Sequence, residues 1–284
     1  LPSQPLPSEW LPASQRQPGE LRTLFRLRRS EWRTSSGLLP AGLPDGGVLT
    51  STHGGTCGGC VRVTDTSTFN LEEGALLYNC YASTEFPGSS NPGDGEGGAV
   101  YVDKGGTFNM KGGTIDGCTA TTKGGAVFVE SGGIFNMSNG TISNCKARSV
   151  KNKELGGAVY IVSGATFTMS GGTIKGCTAY YGGGGVSNQG IFTMSGGTID
   201  NCSSQNAGGV ANTGKGTFSM TGGTIKNCNA TNGGAVITGY SFTMSGGVID
   251  NCKADNKGGG VTVMSNSKIT GMFTLDGGTI KNCS

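Results

Sequence analysis

The sequence predicts an all-β fold: a right-handed parallel β-helix, or solenoid, of about eight coils of 24–38 residues each. Three observations predict it. From Gly58 onward the chain repeats one unit: G-G-A-V-x-V, a variable loop, then T-F-x-M-x-G-G-T-I-x-N-C-x-A. In seven copies a Cys follows the Phe by ten residues, whereas the step from one such Cys to the next varies. Apolar residues inside the block alternate by two, the period of a strand with one buried face. A block of fixed length joined by connections of varying length is what stacked coils with peripheral loops produce.

The elements follow in chain order. Residues 1–45 stand apart, with seven of the nine Pro, six of the eight Arg, both Trp and no Lys. This segment reads as a Pro-rich linker, as an N-terminal cap with LRTLFRLRR as a short amphipathic helix, or as a piece foreign to the rest of the chain. The repeat domain spans 46–284. Each coil opens on a Gly pair that turns the chain into a short strand with inward valines, such as Val100 and Val102 or Val127 and Val129. The next strand carries an inward Phe: Phe108, Phe135, Phe167, Phe192, Phe218, Phe242 and Phe273. Met or Leu two residues later shares its face, and the polar residue between them faces out. A second Gly pair turns the chain into an Ile strand. Two residues after Ile the position is Asn or Gly only: Gly117, Asn144, Gly176, Asn201, Asn227, Asn251 and Asn282. Asn and Gly share a tolerance of positive φ, so this column is a left-handed bend between two short strands. The bend lets Ile and the following Cys both point inward: Cys118, Cys145, Cys177, Cys202, Cys228, Cys252 and Cys283. Cys-x-Ala then supplies another inward pair. A degenerate first copy runs from GGCVRV at 58–63 through Phe69 to Cys80, one residue longer than the others.

One copy cannot bury this set of side chains alone. Stacked at about 4.8 Å, eight copies bury it as continuous columns. The crossover rule makes the solenoid right-handed.

Composition narrows the function classes. Gly is 55 of 284 residues, yet no G-x-y period runs through it, so collagen is excluded. A net charge of +3 is too small to point to nucleic acid. The apolar runs are too short for a transmembrane helix. The single His, His53, excludes catalysis that needs more than one.

The GGAV elements at 97–100, 124–127, 156–159 and 233–236, with the Phe-led strand, make 58–284 resemble the repeats of chlamydial polymorphic outer-membrane proteins and similar adhesin-like β-helical surface proteins. Here Asn or Thr directly follows Phe in most copies, in place of that family's F-x-x-N. The resemblance implies a secreted or surface-displayed passenger that adheres.

Several columns could carry chemistry. The residue after Ile reads Asp116, Ser143, Lys175, Asp200, Lys226, Asp250 and Lys281, and from Lys175 its sign alternates coil by coil. Opposite charges on neighbouring coils make a surface ion-pair ladder that fixes register. The Cys column reads as free, buried thiols, because in-register stacking points all of them the same way. No His accompanies it, so no metal is expected there, and no cofactor is expected anywhere. Cys57-Gly-Gly-Cys60 reads as a degenerate terminal coil or the place of a single disulfide. The Gly pairs lack the Lys-Ser/Thr of a phosphate loop. The insertions at 84–96 and 148–155 are candidate binding loops. Outward Thr columns, with T-x-T at Thr166–Thr168, raise ice binding as a minor alternative.

The expected function is therefore non-enzymatic. The chain reads as an extracellular or cell-surface β-solenoid, bacterial in origin, acting as an adhesin or structural stalk. Its partners would be a cell-surface protein or glycan, or further copies along the solenoid axis, with no nucleic acid and no transmembrane segment. A β-helical polysaccharide lyase or glycoside hydrolase is the alternative, and would show as a coil that gathers several carboxylates with a base on one face. The chain ends one residue after an inward Cys, which leads to the expectation of a longer protein or of end-to-end packing.

Overall fold

Alternating inward residues and two Gly corners per copy dictate short strands and sharp turns, and a computed structural model of the chain shows how they stack. It describes residues 48–50, 57–84, 95–148, 155–265, 267 and 270–284. The segment 1–45, His53 and most of the two insertions lie outside the described residues. Among the described residues there is no helix, and none is therefore long and apolar enough to cross a membrane. Parallel strands stack into three sheets, the architecture of a right-handed parallel β-helix.

The first sheet holds the eight valine strands, from Val61–Val63 to Val261–Val263. The second has fifteen strands and combines the Phe strands with the Ile strands. Its two halves join because Ser241–Asp250 and Met272–Lys281 run unbroken through the Gly-Gly corner in the last two coils. Val48–Thr50 extends the Ile half by pairing with Leu76–Tyr78. The third sheet consists of seven two-residue strands after the left-handed bend, from Tyr81–Ala82 to Lys253–Ala254.

Register follows the sequence columns: Phe135 pairs with Phe108 on one side and Phe167 on the other, and Ile142 likewise with Ile115 and Ile174. Neighbouring Phe rings lie 4.5–5.2 Å apart, within 18° of parallel, from Phe69 to Phe273. Each stacked pair adds roughly 0.5–1.5 kcal/mol beyond its buried area. The Phe, Met, Ile and Cys columns form one continuous core with Val100, Val127, Val159, Val186, Val210 and Val236. In the last coil Phe273, Ile280 and Cys283 are only partly buried.

The bend column behaves as its composition requires. Asn144, Asn201, Asn227, Asn251 and Asn282 have φ of 50–55°, and Gly117 and Gly176 have 67° and 62°. At the coil opening Gly124 has φ of 65°, and a Cβ on Gly125 would run into the Gly157 carbonyl of the next coil. In this coil the first Gly is thus needed for conformation and the second for close approach.

Two features depart from the sequence reading. The inward position two residues after Val is aliphatic in Val102, Val129 and Ile161, but becomes Asn188, Asn212 and Thr238, all fully buried. The Asn188 amide donates to Asn212 Oδ1 at 2.7 Å and the Asn212 amide to Thr238 Oγ1 at 3.1 Å; both also donate to backbone carbonyls, of Thr217 and Ser241. Burying these amides is tolerable because they are hydrogen-bonded. The outward column of the same strand is also buried: Tyr101, Phe128 and Tyr160 form a second aromatic stack, with centroids 4.9 and 5.6 Å apart.

Candidate functional site

The ladder residues are brought together as structural columns. Each Cys Sγ lies close to the carbonyl oxygen two residues earlier, as for Cys145 with Ser143 at 3.1 Å and Cys228 with Lys226 at 3.2 Å. Cys118 to Cys252 are buried free thiols, and Cys283 is a partly buried one. Burial pushes the Cys145 and Cys177 thiols well above the ordinary thiol range. Among the described residues no group of three or more His, Cys, Asp or Glu could hold a metal ion.

A single disulfide does sit at the first coil, but it joins Cys60 to Cys80 and not to Cys57. Cys60 occupies the small inward position filled by Ala99, Ala126, Ala158 and Ala235 in other coils. Across the coil that position faces the Cys column; a Cβ added at Gly185 would lie 3.7 Å from Cys202 Sγ. The sequence carries the signal as a Cys in an Ala column, which a reading of Cys60 as half of a C-x-x-C overlooks.

The charged column forms discrete joints between coils. Lys226 pairs with Asp200 and Lys281 with Asp250, each at 3.6 Å. The Asn beside each Lys completes the joint, Asn227 donating to Asp200 Oδ1 at 2.7 Å and Asn282 to Asp250 Oδ1 at 2.8 Å. Asp116 is held by Ser143 and Asn144, at 2.7 and 2.8 Å, with Ser143 in the column position that Lys226 and Lys281 fill in their coils. The bend Asn is thus both a backbone device and a ladder partner, a second role that its φ preference did not reveal.

The outward Thr columns are in register, Thr141–Thr173–Thr198–Thr224, but Val248 follows Thr224. The T-x-T column is interrupted by exposed Ile134, Ile191 and Met272.

Beside the aromatic stack, the Arg62 guanidinium lies 5.3 Å from the Tyr101 ring centre and also pairs with Asp103 at 2.8 Å. The Lys123 ammonium lies 5.0 Å from the Tyr160 ring centre and pairs with Glu96 at 3.3 Å. Tyr101 donates to Glu130 at 3.0 Å; burial first, then the Glu130 charge, raise its pKa.

Among the described residues, two concavities stand out from the regular surface. One, of about 440 Å³, lies on the third sheet between Ser204, Asn229, Thr231, Lys253 and Asp255. The larger, of about 660 Å³, lies over coils one to three, where the Gly corners leave a floor of bare backbone. Its walls carry Glu73, Tyr78 and Asp116. Sequence reasoning missed this groove, although its signal was legible: Tyr78 stands in the column that elsewhere holds Asp, Ser or Lys.

No family model, curated protein or solved structure matches this chain.

Proposed function

We propose that this protein is an extracellular or cell-surface β-solenoid that acts as an adhesin or a structural stalk, with a cell-surface protein, a glycan or further copies of itself as partner. The observation that carries the reading is the extent of the periodic outer surface: outward columns repeat in register over eight coils on a continuous core. Such a shape offers a long rigid face and many equivalent contacts, which suits multivalent attachment. The Cys60–Cys80 disulfide supports an oxidising compartment. The resemblance of the GGAV repeats to bacterial adhesin-like proteins points the same way.

The test is adhesion of beads carrying the full chain to intact bacterial and host cells. Retention well above that of albumin-coated beads, abolished by free protein, is the expected outcome. Retention equal to albumin on every surface would overturn the adhesin reading and leave a stalk.

A further inference from the structure

The groove over coils one to three is where the solenoid stops being periodic, and chemistry that recognises one ligand needs unlike residues together. Its volume of about 660 Å³ falls within the range of small-molecule sites. The corner between the Phe and Ile strands forms the floor, where Gly74, Gly112, Gly113 and Gly140 present no side chain. On one wall Tyr78 is exposed, next in register to Asp116. Glu73 lines the groove as well, exposed to solvent.

Charge decides the ligand. The whole chain is net positive, at +3, yet the described lining holds two carboxylates and no Lys or Arg. The nearest lysine in sequence, Lys111, is engaged by Glu72 at 3.2 Å. Asp116 receives both of its hydrogen bonds on Oδ1. The equivalent aspartates of coils five and seven, Asp200 and Asp250, are each neutralised by a lysine of the following coil; Asp116 has Ser143 there instead. An aromatic face, two carboxylates, the Thr114 hydroxyl and the Asn139 amide are together the groups that recognise a sugar ring bearing an ammonium group.

We infer that this groove binds an amino-sugar glycan, with Tyr78 stacking on a sugar ring and Glu73 and Asp116 receiving its ammonium groups. The inference rests on the surface-attachment reading and names the ligand class for it. A cationic peptide satisfies the carboxylates but leaves the tyrosine face and the hydroxyl and amide groups without matched partners.

Calorimetric titration of the full chain tests it, with a glucosamine hexamer, an N-acetylglucosamine hexamer, an oligogalacturonate and a hexalysine as probes. The glucosamine hexamer should bind best and weaken as salt is raised. Tyr78→Ala and Asp116→Asn should each weaken it about tenfold, while Tyr78→Phe keeps it. Asp116→Asn retains an acceptor for Ser143 and Asn144, so circular dichroism and melting should match the native chain. Equal or tighter binding of hexalysine overturns the glycan assignment. Absence of glucosamine binding, or unchanged binding in both Tyr78→Ala and Asp116→Asn, overturns the site. Bead adhesion measured alongside separates the two claims: adhesion without glucosamine binding defeats only the groove ligand, and glucosamine binding without adhesion defeats only the adhesin reading.

Discussion

At the scale of single residues, each repeat position is fixed by one physical demand. Asn and Gly share the bend column because φ there is 50–67°, a region costing most L-residues roughly 1–2 kcal/mol. Ala or Gly fills the inward position opposite the Cys column because little space remains there. Where that position holds Cys60, a disulfide forms with Cys80. The same exchange one or two coils on should do the same. Ala126→Cys should bridge to Cys145, whose side chain shares the buried interior with it. The loop closed is similar in length to the native one, so the gain should be about 3 kcal/mol. Thiol counting under denaturing, non-reducing conditions checks it; an increase of one free thiol, with no new bridge, would contradict the opposed-column geometry.

At the scale of strands and ladders, register is the quantity at stake. A parallel strand of three or four residues has few hydrogen bonds with which to choose its neighbour, and a slip of one residue would turn the core face outward. Two devices oppose slippage. Inside, the Asn188–Asn212–Thr238 chain is satisfied only in one alignment. Outside, Asp200 and Asp250 each receive a Lys and an Asn from the next coil. Exposed ion pairs of this kind contribute only about 0–1 kcal/mol. Reversal has a larger effect, since Lys226→Asp places three carboxylates in adjacent register at 200, 226 and 250. It should lower the melting temperature, more at low salt than at high salt, and the added exchange Asp200→Lys should recover part of the loss. An unchanged melting temperature at low salt would remove the register role.

At the scale of the whole molecule, the core is a bundle of columns that run the length of the solenoid. Two buried thiols in the middle of that core, Cys145 and Cys177, give the fold a pH signature. Burial raises Cys145 and Cys177 well above the ordinary thiol value of about 8.5. A thiol whose folded value is raised stabilises the fold fully below its unfolded value, and that contribution is lost as pH climbs toward the folded one. Tyr101, raised by burial and by Glu130, acts in the same direction at higher pH. The melting temperature should therefore hold up to about pH 8 and fall steadily above it. Replacing Cys145 and Cys177 by Ala should flatten the first part of that fall; an unchanged slope would show that the buried thiols do not govern it.

The coil, its strands, its bends and its stacked columns are legible in the residues alone, because strict periodicity states which residues are equivalent and equivalent residues stack. Phe108 through Phe273, Cys118 through Cys283 and the positive-φ Asn residues were all legible for that reason. What breaks the period emerges only in the folded chain. Cys60 was visible, but its partner lies across the coil, twenty residues on. Asn188 and Asn212 look like surface residues in a strand pattern, yet they are buried because they satisfy each other and the backbone. The groove of Glu73, Tyr78 and Asp116 draws on residues from separate coils. Periodicity specifies what a coil shares with its neighbours, whereas a concave site is made from the differences between them. Those differences acquire a common location only when the chain has folded.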